Sequence, residues 1–184
     1  MPGRVFVITG PSGVGKGTLI RTLLERVPEL ELAVSATTRA PREGERDGEH
    51  YHFLGDAEFD LRVVEGDFLE HAEYSGRRYG TLRSELAKRT EGGASVVLEI
   101  EVQGARQVER SMPDAVRIFI APPSEATLRE RLEARGTDTP EAIEARLAVA
   151  KAELAAAGDF PHVVHNDRLD DAADELERVV RSAL

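Results

Sequence analysis

An apolar run, Val5-Phe-Val-Ile-Thr9, leads straight into Gly10-Pro-Ser-Gly-Val-Gly-Lys-Gly-Thr18. After the glycines come Leu19, Ile20, Leu23, Leu24 and Val27, which share one side of a helix. A buried strand, a glycine-rich turn and a helix, in that order, build a phosphate cradle. Successive main-chain N–H groups wrap anionic oxygens, and the positive end of the helix dipole points at them. Gly10, Gly13 and Gly15 permit close approach, and Lys16 supplies a charge for β- and γ-phosphates. One position departs from the usual pattern: Gly17 stands where Ser or Thr is normal, and Thr18 follows one residue late.

A chain of 184 residues is long enough for one sizeable core and short for two. Apolar residues make up 41% and charged residues 32%, a globular profile. No apolar run approaches a membrane span, and the first residues lack the marks of a signal peptide. There is no cysteine, so neither a disulfide nor a thiolate metal site is available, which fits a cytoplasmic location. The formal net charge of −10 disfavours general binding to nucleic-acid backbone. Any anionic ligand must be met by a local cluster of Arg and Lys.

Strand and helix patterns alternate along the chain. Val5–Thr9, Ser95–Ile100, Val116–Ala121 and His162–His165 read as buried parallel strands. Leu82–Thr90, Ser124–Ala134, Thr139–Ala157 and a final amphipathic segment through Leu169, Leu176 and Val180 read as helices. The order predicts an α/β fold around a mostly parallel sheet. Residues 35–81 break this rhythm and read as an inserted subdomain. Within it, Glu49–Leu54 and Phe68–Tyr74 suggest antiparallel strands, with a short helix near Ala57–Val64 between them.

The insertion holds a second constellation. Ser35-Ala-Thr-Thr-Arg-Ala-Pro-Arg42 sets Arg39 and Arg42 on a segment that Pro41 biases away from helix. Two guanidinium forks so placed can grip one phosphate. Tyr51 and Tyr79 can complete a phosphate shell, and Glu70 with Ser35 and Thr81 can read a base edge. Taken singly, each reads more readily as a surface charge or a packing aromatic than as a ligand contact.

In combination these segments resemble the guanylate kinase family, nearly end to end. The quoted motifs are Gly10–Lys16, Ser35–Arg42, Gly48–Tyr51, Phe68–Ala72, Tyr79–Thr81, Leu98–Gly104, Ile120–Ser124 and Arg131–Gly136. The resemblance implies a P-loop nucleoside-monophosphate-kinase fold, with core 1–34, 82–123 and 147–184, a GMP-binding subdomain 35–81 and a lid 124–146. It implies an ATP- and Mg²⁺-dependent transfer of the γ-phosphoryl group to GMP, with dGMP as an alternative acceptor. It assigns ATP to Gly10, Pro11, Ser12, Gly13, Val14, Gly15, Lys16, Gly17, Thr18 and Asn166. GMP falls to Ser35, Arg39, Arg42, Tyr51, Glu70, Tyr79, Thr81 and Glu99, and transferring phosphates to Lys16, Arg131, Arg135 and Arg146. Thr18 and Glu101, the latter through water, are assigned to the metal; Glu101 replaces a more usual Asp. The implied partners are these small molecules, without nucleic acid or membrane, in a monomer or small homo-oligomer.

Other readings fit the residues less well. A phosphopeptide-binding relative without catalysis would not need Lys16 and an intact loop. A kinase for a ribose bisphosphate would not need Glu70 beside two hydroxyls. An adenylate kinase is disfavoured because a carboxylate suits adjacent donors, which guanine has and adenine lacks.

Overall fold

Strand β1 (Val5–Thr9) sends alternate side chains to opposite faces, and both faces are buried. Val5 and Val7 join one apolar cluster; Phe6 and Ile8 join another. In the computed structural model, which describes residues 3–134, 136 and 139–184, β1 is the centre of a five-stranded parallel sheet. The other strands are β2 (Leu30–Leu32), β7 (Ser95–Glu99), β8 (Val116–Ala121) and β9 (His162–His165), in the order β2-β7-β1-β8-β9. All five strands pair in parallel, as the apolar runs at β1, β7, β8 and β9 predict; β2 is an addition.

Helices cover both faces. α1 (Lys16–Arg26) and α7 (Leu169–Ala183) close one side through Leu19, Ile20, Leu23, Ala172, Leu176 and Val180. α3 (Arg83–Thr90) and α4 (Val102–Ser111) close the other through Leu86, Val102, Ala105 and Val108. α5 (Glu125–Ala134) and α6 (Pro140–Ala155) form a small cluster of their own around Leu128, Leu132, Ile143 and Ala150. Side-chain oxygens cap the starts of both helices. Ser124 Oγ accepts from the Thr127 N–H at 3.1 Å, and Thr139 Oγ1 from that of Ala142 at 3.3 Å. The expected lid boundary at residue 146 falls inside the uninterrupted helix α6.

The insertion is a separate four-stranded sheet in the order β4-β3-β6-β5. It contains β3 (Ala36–Thr37), β4 (His52–Phe53), β5 (Phe68–Tyr74) and β6 (Arg77–Leu82), with α2 (Asp56–Glu65) over it. Phe59 on α2 stacks on Phe68 with ring centroids 4.5 Å apart and seals this cluster with Ala36 and Leu82. β5 is antiparallel to β6, as a two-residue turn demands. The segment Glu49–Leu54 differs from expectation. Only His52–Phe53 is strand, and it pairs in parallel with β3. The long connection through residues 38–51 carries the chain back to the start of β3, so the strands run alongside.

Candidate functional site

The loop after β1 ends at Gly15, which caps α1 in the left-handed region with φ of 91°. No side chain caps this helix and no acidic residue lies in its first turn. Its first N–H groups have no intrahelical acceptor and stay available for an anion. The loop is held from beneath. Asn166 is buried, and its Nδ2 donates to the Val14 carbonyl at 2.8 Å. A Cβ at Gly15 would lie 2.5 Å from that same Nδ2, so the loop can rest on Asn166 only because residue 15 has no side chain. Arg131 reaches across from α5, donating to the Val14 carbonyl at 3.3 Å and the Asn166 carbonyl at 2.8 Å.

Two clefts meet at Lys16. One, of about 290 Å³, is bordered by Ser35, Tyr51, Glu70, Tyr79, Glu99 and Glu101 as well as Lys16. The other runs along the loop past Pro11, Ser12, Gly13, Gly15, Gly17 and Thr18, and shares Lys16 and Glu99 with the first. In this state the Lys16 Nζ folds back to the Gly10 carbonyl, 3.4 Å away.

Glu70 is the most constrained residue of the first cleft. It is 3% exposed, and Thr81 Oγ1 donates to its Oε1 at 2.7 Å. Burial pushes its pKa up to about 7; the Thr81 hydroxyl and N–H pull the other way, and Glu101 adds repulsion. At the cleft's far end Arg39 lies over the Tyr51 ring, 5.2 Å from its centroid, and Tyr51 meets Tyr79 edge-on at 6.2 Å. Burial and the neighbouring Tyr79 raise the Tyr51 pKa, so its hydroxyl keeps its proton and can donate.

An arginine set against tyrosine rings, a buried carboxylate and a glycine-rich loop at a helix start now lie along one trough. A comparison with protein families matches the guanylate kinase family over residues 2–183. The chain belongs to the guanylate kinase family. It is 54% identical to the guanylate kinase of Parasynechococcus marenigrum over 175 residues, covering 95% of this chain and 96% of that one. It is 50% identical to that of Thermobifida fusca, covering 95% and 89%. Among solved structures, the guanylate kinase from Anaplasma phagocytophilum superposes with a TM-score of 0.78 at 33% identity, covering 98% of this chain and 86% of that one.

Most residues that the guanylate kinase resemblance singled out converge on this trough. Arg42 is exposed beside it, and its N–H donates to Glu45 Oε2 at 2.7 Å. Arg146 lies half-buried on α6. Arg135 lies outside the described residues. Thr18 is exposed at the loop's end and accepts from Arg21 at 3.4 Å. Glu99 leans to the loop side: a Cβ at Gly17 would lie 3.9 Å from its Oε1 and meet nothing nearer.

Three residues were not found from sequence. Glu45 bonds Arg39 at 2.8 Å while accepting from Arg42, and the Arg39 contact holds its carboxyl down at about 2. Its spacing of six from Arg39 was the available signal. Glu85 is buried and would resist ionisation, yet the Val34 N–H, Arg89 and His52 keep its pKa low, fixing the main chain just before Ser35. Glu153 on α6 bonds to Glu101, and its pKa is pushed up to about 7 by burial and Glu101's charge against the pull of Lys16. It stands two turns beyond Arg146, the hint that α6 turns one face to the trough.

The Glu70 shift carries a sign. Its folded pKa lies above the unfolded carboxylate value, so the stability it contributes is greatest at low pH and declines as pH rises toward 7. Above pH 7 the buried charge costs of order 3 kcal/mol. Glu70→Gln should therefore raise unfolding free energy at pH 8 by up to about 3 kcal/mol, with the gain gone near pH 4.5. Urea titration at both pH values checks this; an equal difference at the two would refute the assigned cause.

Proposed function

We propose that this protein transfers the γ-phosphoryl group of ATP to GMP, giving ADP and GDP. The observation that carries the reading is Lys16 at the junction of the two clefts, with a phosphate-type pocket and a donor-seeking carboxylate at the far end of one. Phosphoryl transfer asks little covalent work of a protein; it asks for in-line positioning and neutralised charge.

In this reading the N–H groups at the start of α1 and the Lys16 ammonium hold the β- and γ-phosphates. Arg39, Arg42, Tyr51 and Tyr79 hold the GMP phosphate, and Glu45 keeps the two arginines on one curve of chain. Glu70 accepts the N1–H and N2–H of guanine side by side, while Ser35 and Thr81 supply hydroxyls beside the base. Adenine offers an acceptor at its N1, so the same carboxylate would face a lone pair. Arg131, Arg135 and Arg146 serve the transferring phosphates, and Asn166 serves ATP by supporting the loop. Closure over both nucleotides excludes water and with it wasteful hydrolysis.

The donor set fits Mg²⁺. Glu99 and Glu101 border the cleft at Lys16, Thr18 offers a hydroxyl, and the space a hydroxyl at position 17 would fill is open. This ion is commonly held by one or two carboxylates, waters and substrate phosphates, so Thr18 and Glu101 (through water) would hold it. When bound it would neutralise phosphate charge. No helix among the described residues is long and apolar enough to cross a membrane. We place the protein in the cytoplasm, as a monomer or small homo-oligomer.

A coupled assay with ATP and Mg²⁺ across GMP, dGMP, AMP, UMP and CMP tests the reading. GMP should be turned over best, by a wide margin over AMP; AMP turnover equal to that of GMP would contradict it. Lys16→Ala should lower kcat at least a hundredfold with little change in GMP affinity, because its charge acts on oxygens that become more negative during transfer. A drop in kcat of less than tenfold would remove Lys16 from that role.

A further inference from the structure

Helix α4 meets β5 along one face, and two residues one turn apart make the contact. Gln107 reaches the outer edge of β5, the last strand of its sheet. Its Oε1 accepts from the His71 N–H at 3.1 Å and its Nε2 donates to the His71 carbonyl at 2.6 Å. The amide thus makes the two bonds a further strand would make, and it fixes how closely α4 approaches the residue next to Glu70.

Gly104 sits one turn earlier, facing Glu70 itself. A Cβ at this position would lie 2.1 Å from Glu70 Oε2, 3.0 Å from Cδ and 3.4 Å from Cγ. The carboxylate has little room to yield: its other oxygen is held by Thr81 at 2.7 Å. Its main chain is packed too, since a Cβ at Gly80 would lie 2.8 Å from the Glu70 carbonyl. Nothing in the backbone calls for glycine here. Gly104 lies inside α4 and is not among the glycines with positive φ. A helix interior favours alanine over glycine, so the local choice is unfavourable on its own terms. What the missing side chain provides is the space the Glu70 carboxylate occupies.

We propose that Gly104 is a positioning residue for acceptor selection: by having no side chain it lets α4 press against Glu70 and set the carboxylate at the depth where it meets the guanine edge. Gly104 touches no nucleotide in this account, and Gln107 sets the distance at which it works. The proposal rests on the reading that Glu70 receives guanine.

The test is a cycle of Gly104→Ala in the parent and in a Glu70→Ala background, with KM and kcat for GMP and for ATP and the thermal midpoint of each variant. In the parent, Gly104→Ala should raise KM for GMP at least tenfold, with KM for ATP within about twofold of the parent's. In the Glu70→Ala background the same change should move KM for GMP less than twofold, because the colliding carboxylate is gone. Should Gly104→Ala alone fail to fold, the double variant must regain a cooperative transition; failure of both to fold would overturn the proposal. Equal penalties from Gly104→Ala in both backgrounds would overturn it while leaving Glu70's role intact. An unchanged KM for GMP in Glu70→Ala alone would instead overturn the guanine reading, and the proposal with it.

Discussion

A carboxylate enclosed by its own protein is the interaction on which the remaining architecture depends. Glu70 is buried, and that burial raises its pKa to about 7 against the pull of Thr81, its side-chain donor among the described residues. A buried acceptor short of partners is unfavourable in the free protein and well matched to a ligand that brings two N–H groups. β5 and β6 hold its main chain, α4 closes the space behind it, and Gln107 ties that helix to the strand. β5 is thus one place where the insertion is fastened to the core, beside the direct passage of β6 into α3 and the Glu85 bond to the Val34 N–H.

The charged groups follow the same logic on the phosphate side. A chain with formal charge −10 must accept polyanions, and its positive groups are held in position by carboxylates. Arg39 lies between Glu45 and the Tyr51 ring, so in the proposed role it would have little side-chain entropy left to lose on meeting a phosphate. Arg131 spans two carbonyls beneath the loop and stiffens the cradle in this state. Lys16 Nζ donates to the Gly10 carbonyl at 3.4 Å, and in the proposed role it would exchange that weak bond for stronger ones to phosphate.

Much of this was legible in the sequence where the determinants are local. The phosphate loop needs only adjacent residues, so Val5–Thr9, the glycines and the apolar face of α1 announce it together. β1, β7 and β8 were readable because burial on both faces leaves an apolar run, and β9 from the shorter pair Val163–Val164. β2 was not, since only Leu30 of its three residues is buried. α4 was hidden behind the motif Leu98–Gly104, although Val102, Ala105 and Val108 keep helical spacing beyond it. Its meaning was less accessible still, because Gly104 is explained by Glu70 and Gln107 by His71, residues far away in the chain and adjacent only in the fold. The parallel pairing of β4 likewise depends on where a long loop returns, which no local pattern encodes.

The central claim is that Glu70 waits as a half-protonated buried acid and becomes a carboxylate when guanine supplies donors. Carbon-13 NMR of the Glu70 side-chain carboxyl, assigned through its loss in Glu70→Gln, measures this directly. In the free protein the resonance should titrate near pH 7. With saturating GMP it should keep its carboxylate shift well below that pH, since both guanine donors favour the ionised form. A free-protein titration at the ordinary glutamate value, or an unaltered titration in the GMP complex, would contradict the account.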